Sequence, residues 1–518
     1  MTHRSLVWQI IRSSSLHWLG NGIVWYFSVR LHEHTSLLVL YCTFIHMLGQ
    51  SPTSNTSTHP SDCTHIPYSM PIGGEYKMPT FEFRGESKPS VIERLPPEIR
   101  RHILSLLDLP RLKALVRASP TFHEQYLLDR PRILCKSLEE TLGSITVDAY
   151  AVRYSTVTKT NDTSDHATFL KPYSEHITQR YISLGDKLTE DEAIQMATFY
   201  LRYVPPIVEH FYRYLLDNFA RIYDYAQVYD PDHVYNFAPA RRPQQELACS
   251  PTEKMRLTRS IYRFQLLCQL AGLAREHPIT RNKNVMAFLE NLEPWEVEEL
   301  FSFYEFVRQS YEQDLENIGW DNHVVVPRLL RDVCTDRNST RDHYVVGMML
   351  RGLPLLHTIL FNIQDRKHLV STIRQNIYSS SFLFEQRSGL LSKGYLAHRR
   401  EICPSWRWRN QDTKAQCPFR GDCEPDAPPL SWTVIWGGTY SNLYGDFIPD
   451  RMRHWGYVFW DAERLRSTNA IELLKKDWAN HYGLFSDPRL YFPQREPPRG
   501  LIGQCLATPR QVDFPLFG

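Results

Sequence analysis

The chain reads as an all-α protein, with a small N-terminal three-helix unit followed by a larger irregular helical domain. Three observations predict this. Ser/Thr-x-x-Glu capping boxes open two long apolar runs, at Thr189–Glu192 and Ser250–Glu253. Apolar residues recur at offsets of three, four and seven through most of the chain after residue 91. Between 150 and 490, no alternating apolar–polar run is bounded by the Asn-Gly or Asp-Gly turns of a hairpin.

Composition bounds the organisation. A chain of 518 residues allows about three units at roughly 150 residues each. With 42% hydrophobic and 22% charged residues it is globular rather than disordered, collagenous or coiled-coil. The formal net charge of +2 gives no global reason to expect nucleic acid as a partner. The ten cysteines are sparse and unclustered, which reads as reduced thiols inside a cell, in cytoplasm or nucleus.

Residues 1–77 read as a poorly ordered extension and linker. Two apolar patches lie here, at 13–29 and 35–49, the first broken by His17, Asn21 and two glycines. A spanning helix needs about 20 mainly apolar residues, so no membrane partner is expected. From Ser51 to Gly74 the chain turns to Ser, Thr, Pro, His and Gly, a composition that cannot repay ordering.

The unit at 88–142 is punctuated by prolines. Pro96 and Pro97 suit a helix start, and Ile99, Ile103, Leu104 and Leu107 then share one stripe. Asp108, Leu109 and Pro110 break that helix and begin a second, carrying Leu112, Leu115 and Val116 inward and Arg111, Lys113 and Arg117 elsewhere. Ser119 and Pro120 repeat the cap-then-proline signal for a third helix with Phe122, Tyr126 and Leu127. A unit this small has too little core of its own. Its stripe must therefore be shared with the rest of the chain or with another protein, and both readings stand on periodicity alone.

This segment resembles an F-box. Leu95, Pro96, Glu98 and Ile99 match the first block of that pattern, Ile103, Leu104 and Leu107 the second, and Leu109, Leu112, Leu115 and Val116 the third. The resemblance implies docking on a Skp-type adaptor of a cullin–RING ubiquitin ligase, through Leu95, Pro96, Ile99, Ile103, Leu104, Leu107, Leu109, Leu112, Leu115 and Val116. The chain would then be a substrate-receptor subunit that holds an unknown protein target. Patches over 88–480 also resemble uncharacterised fungal F-box-like proteins: Tyr262-Arg263-Phe264-Gln265-Leu266, Pro294-Trp295-Glu296-Val297-Glu298 and Trp455-Gly456-Tyr457-Val458-Phe459-Trp460-Asp461. The alternative is a self-contained helical scaffold with no ligase role.

The helical domain spans 150–490. Its first long run passes through Met196, Tyr200 and Tyr203, is interrupted by Pro205-Pro206, and resumes through Phe211, Tyr214, Leu215 and Phe219. The run after Ser250 carries Ile261, Phe264, Leu267, Cys268 and Ala271. A third starts near Pro294 with Val297, Leu300, Phe301, Tyr304 and Val307, and further apolar helical stretches lie at 343–363 and 456–480. Residues 491–518 read as a tail.

The chemistry-bearing motifs are missing. There is no phosphate-binding loop, dinucleotide fingerprint, His-Glu-x-x-His or Gly-x-Ser-x-Gly, so the reading is non-enzymatic, with no catalytic residues and no cofactor. His398, Cys403, Cys417 and Cys423 are spaced too widely for a zinc site and read as part of a polar loop. Glu296, Glu298 and Glu299 read as a solvated helix face. Trp432, Trp436, Trp455, Tyr457, Phe459 and Trp460 read as a local core, with a peptide-binding platform as the sharper alternative.

Overall fold

The computed structural model describes residues 90–157, 166–228, 248–271, 284–285, 287–317, 337–376, 416–424, 427–441, 443–482 and 487, and the backbone of 15–19, 22–31 and 34–42. The chain divides into Met1–Glu86 and Ser87–Gly518. The expected linker at 51–74 and the tail at 491–518 lie outside the described residues.

In the first unit, β1 (Ser15–Leu19), β2 (Gly22–Leu31) and β3 (His34–Cys42) form an antiparallel sheet in the order β1-β2-β3. Tyr26 stands opposite Ser15 on one side and Val39 on the other. The two apolar patches too short or too broken to span a bilayer thus supply paired strands. In the sequence the two residues between the paired Leu19 and Gly22 are Gly-Asn, a signal for such pairing.

Ser87–Gly518 is all-α, as expected. Among its described residues, strand pairing is limited to a single bridge between Gln416 and Thr439. Four helices open it: α1 (Pro97–Ser105), α2 (Leu109–Ala118), α3 (Pro120–Leu128) and α4 (Arg130–Leu142). Asp108 accepts the Arg111 N–H at 2.9 Å and Ser119 the Phe122 N–H at 3.3 Å, so the two sequence-read caps close the starts of α2 and α3. The expected three helices are four because Pro131 sits in the first turn of α4, repeating the signal of Pro97, Pro110 and Pro120.

The body follows with α5 (Thr146–Val157), α6 (His166–Gln179), α7 (Glu190–Val228), α8 (Pro251–Ala271) and α9 (Pro294–Asn317). Both capping boxes are made. Thr189 N–H reaches Glu192 at 3.0 Å and Glu192 N–H returns to Thr189 Oγ1 at 3.4 Å, and Ser250 and Glu253 exchange bonds of 3.1 and 3.0 Å. The expected interruption at Pro205-Pro206 does not occur, and α7 runs through both. Burial of Val204, Ile207, Val208 and Phe211 around the prolines holds the helix despite the missing N–H groups. Helix α8 is central, with α5, α7 and α9 all lying against it.

Then come α10 (Arg337–Met349), α11 (Leu353–His357), a π-turn at Thr358–Asn362 and α12 (Arg366–Asn376), followed by α13 (Leu430–Ile435), α14 (Asp450–His454), α15 (Ala462–Ser467) and α16 (Ala470–Tyr482). The helical stretch expected at 456–480 begins only at Ala462. Residues 456–459 form a turn in which Gly456 takes φ +70°. One contiguous apolar core runs from Leu109 to Tyr482, and a small second one joins Leu104, Leu112, Phe122 and Ile133. Among the described residues no helix is long and apolar enough to cross a membrane.

Candidate functional site: the first helical unit and the buried charges

The unit at 88–142 is assembled by short polar ties around its small core. Glu93 accepts the Ser90 N–H at 2.6 Å and the Ser119 hydroxyl at 2.5 Å, bonds that hold its carboxyl below the usual range, Ser119 foremost. Arg100 donates to the Glu93 carbonyl at 2.8 Å, and Arg101 Nε meets Asp129 at 2.7 Å. These ties join the turn before α1 to the start of α3, and α1 itself to the start of α4.

The ten residues assigned to adaptor contact divide among three environments. Leu104, Leu109 and Leu112 are buried, Leu104 and Leu112 in the small core and Leu109 in the large one. Leu95, Ile103, Leu107, Leu115 and Val116 are half-buried, and all but Leu95 pack against the small core. Pro96 is exposed, and Ile99 is 39% exposed on the same helix that buries Leu104 completely. Val91, Leu127 and Leu128 add exposed apolar surface that the family pattern does not include. Arg111, Lys113 and Arg117 face solvent.

The acidic triplet on α9 overturns its expectation. Glu296, Glu298 and Glu299 are each 0% exposed, not solvated. Glu296 and Glu299 meet arginines that recur along one stripe of α8, and Glu298 meets one from α14. Arg259 Nη2 and Nε grip Glu299 at 2.6 and 2.8 Å, Arg259 Nη1 and Arg263 Nη2 reach Glu296 at 3.2 and 3.4 Å, and Arg180 adds a third bond to Glu296 at 3.0 Å. Burial alone would raise the Glu296 carboxyl, but Arg180, Arg263 and Arg259 hold it well below the usual range. Arg263 also meets Asp148 at 3.3 Å, and Tyr173 donates to the same carboxyl at 2.7 Å. Glu298 is held by Arg453 Nε at 2.8 Å and by the Gly445 N–H at 2.7 Å.

At the start of α8 the charges bind two helix N-termini together. Arg464 on α15 clamps Glu253 through two bonds of 2.7 Å. Glu253 accepts the Asp461 N–H at 3.2 Å, and Asp422 accepts the Ala462 N–H at 2.9 Å, so carboxylates from elsewhere in the chain satisfy the first donors of α15. Arg256 bridges Asp461 at 3.0 Å and Asp422 at 3.2 Å, while Ser250 donates to Asp461. Opposite charges are thus tied to one another across elements far apart in the chain, an arrangement suited to holding helices in register. The sequence did carry a signal for it: Arg256, Arg259 and Arg263 recur at three and four on the same helix as the apolar stripe of Ile261, Phe264, Leu267 and Cys268.

The C-terminal aromatics are core, as the sequence reading favoured. Trp432, Trp436, Trp455, Tyr457, Phe459 and Trp460 are all buried. Phe219 of α7 stacks on Trp455 at 5.1 Å and on Trp460 at 5.9 Å, and the absent Cβ of Gly456 lets Leu215 approach to 2.7 Å of where it would stand. His398 and Cys403 lie outside the described residues, while Cys417 is half-buried and Cys423 exposed. Among the described residues no group of three or more His, Cys, Asp or Glu side chains is placed to hold a metal ion.

No family model, no curated protein and no solved structure matches this chain.

Proposed function

We propose that the chain is a non-enzymatic receptor subunit, in which residues 88–142 dock on a Skp-type adaptor of a cullin–RING ubiquitin ligase and the helical body holds a protein target. The observation that carries this reading is the division of one helical stripe. Leu104 and Leu112 turn inward and hold the unit's shape, while Pro96 and Ile99 stand exposed and Leu95, Ile103, Leu107, Leu115 and Val116 keep part of their surface uncovered. An apolar ridge on a braced small bundle suits insertion into a partner's groove. Such a role belongs in the cytoplasm or nucleus.

The second reading, a self-contained scaffold, draws on Leu109, which is buried in the large core, and on the contact between α2 and α7. Both readings are tested by capture of a purified Skp-type adaptor on the full chain. Ile99→Asp places a charge on the exposed ridge without entering the core, so it separates docking from folding in a way that Leu104→Asp cannot. Adaptor capture that is lost in Ile99→Asp, with an unchanged melting temperature, supports the receptor. No capture by the unaltered chain sinks it in favour of the scaffold.

A further inference from the structure

The turn that leads into the ridge is held from two sides through one residue. Glu93 lies in the single turn Ile92–Arg94, just before Leu95 and Pro96. Its Oε2 accepts the Ser90 N–H at 2.6 Å, and its own N–H returns to the Ser90 carbonyl at 3.1 Å, so the two residues close the turn between them. Its Oε1 accepts the Ser119 hydroxyl at 2.5 Å, from 26 positions further along the chain.

The Ser119 hydroxyl is aimed by a second duty. Its oxygen accepts the Phe122 N–H at 3.3 Å as the cap of α3, which leaves the hydroxyl hydrogen for Glu93. Phe122, with no exposed surface, fixes that end in the small core. From the other side Arg100 of α1 donates to the Glu93 carbonyl at 2.8 Å. Glu93 is thus tied to α3 by its side chain and to α1 by its backbone, and these two helices lie against one another.

What leaves this clamp is the apolar ridge. Leu95 and Pro96 follow in extended backbone, with ψ of 149° and 147°. The Pro96 carbonyl then accepts the N–H groups of Ile99 and Arg100 at 3.0 and 3.1 Å, which starts α1 and sets where Ile99 stands.

We infer that Glu93 and Ser119 are positioning residues for the docking ridge: they hold Leu95, Pro96 and Ile99 in the arrangement a partner's groove receives, so that the ridge is formed before the partner arrives. The inference rests on the receptor reading proposed above and adds to it the pair that prepares the site. Ser119, 7% exposed, acts from behind the ridge and need not touch the adaptor. Ile92 of the same turn packs on the small core, so the test has to separate the clamp from apolar packing.

The test uses the full chain and a purified Skp-type adaptor, with the melting temperature followed for every variant. Glu93→Met keeps the side chain's length and removes both acceptor oxygens. It is expected to weaken capture about tenfold, because ordering the ridge then falls on the binding step. Glu93→Gln restores most of the capture, since its amide can accept from Ser90 and donate to the Ser119 oxygen. Ile133→Val thins the same small core from α4, so it lowers the melting temperature while capture stays within about twofold. Hydrogen exchange over residues 90–99 reports the clamp directly, and is expected to quicken in Glu93→Met but not in Ile133→Val. The inference alone falls if the unaltered chain captures the adaptor and Glu93→Met does so equally, if exchange over 90–99 is unchanged, or if Ile133→Val loses as much capture as Glu93→Met. No capture by the unaltered chain removes the receptor reading and this inference together.

Discussion

Arg259 and Glu299 face each other as a two-pronged ion pair inside the protein, Nη2 to Oε1 at 2.6 Å and Nε to Oε2 at 2.8 Å, with neither side chain more than 2% exposed. The pair joins the central helix α8 to α9, and Glu296 one turn away takes further bonds from Arg180 and Arg263. Removing one partner strands the other's charge out of water. Glu299→Gln is therefore expected to lower stability by about 3 kcal/mol in urea unfolding. The double change Arg259→Met with Glu299→Leu recovers much of that loss, since it removes both charges of the pair while Glu296, which loses Arg259, keeps Arg180 and Arg263. Equal losses in the single and double variants would show that shape, not charge pairing, holds the two helices.

Asp461 gives the pH dependence a sign. Burial, foremost, pushes its carboxyl up to about 6, with the Ser250 and Arg256 bonds offsetting only part of this. The folded chain then holds this proton more tightly than the unfolded chain does. Between the ordinary aspartate value and about 6, Asp461 destabilises the fold progressively as pH rises, and the penalty is complete above 6. Asp461→Asn keeps the bond geometry without the charge. The melting temperature of the natural chain should fall relative to that of Asp461→Asn as pH is raised from 5 to 7. A relative rise would mean that Arg256 outweighs burial.

Glu296 works in the opposite direction. Its three arginines hold the carboxyl well below the usual range, so its stabilisation is present above the ordinary glutamate value and disappears as pH falls through the native one. Glu296→Gln is expected to be less stable at pH 7 and to show a shallower acid unfolding curve below about pH 4.5. Parallel acid curves for the two chains would remove Glu296 from the account.

Gly456 and Leu215 test the seam between the C-terminal turn and α7. The glycine holds φ +70°, and an added Cβ would stand 2.7 Å from Leu215 Cδ1. Gly456→Ala is expected to destabilise by about 2 kcal/mol, part backbone strain and part clash. In a cycle with Leu215→Ala the two losses should be less than additive, because the smaller neighbour removes the clash. Strict additivity in thermal melts would place Leu215 elsewhere.

The two sides of α1 differ in what they hold. Leu104, with no exposed surface, is expected to lose about 3 kcal/mol on change to alanine, whereas Ile99, 39% exposed, loses under about 1 kcal/mol. Comparable losses at both positions would mean that Ile99 is covered.

Local signals were legible in the sequence wherever one residue's chemistry acts within a turn. Asp108, Ser119, Thr189 and Ser250 were readable as caps, and each accepts the backbone N–H three residues on. The prolines at 97, 110 and 120 marked helix starts for the same reason, and Pro131 did so unread. Pro205-Pro206 read as a break because lost hydrogen bonds are local, while the apolar burial that overrides them comes from other helices.

The sequence by itself therefore determined the helical class, the starts of the capped and proline-marked helices it read, and the existence of an apolar stripe at 99–107, since these depend on periods of three to four residues. Only the tertiary structure decided that Leu104 is sealed while Ile99 is open, and that Glu296, Glu298 and Glu299 meet arginine rather than water. A helical face is polar or apolar by composition, but what it meets is set by packing: Glu298 finds its partner in Arg453, some 155 positions away. Only the folded chain brings such residues within hydrogen-bonding distance.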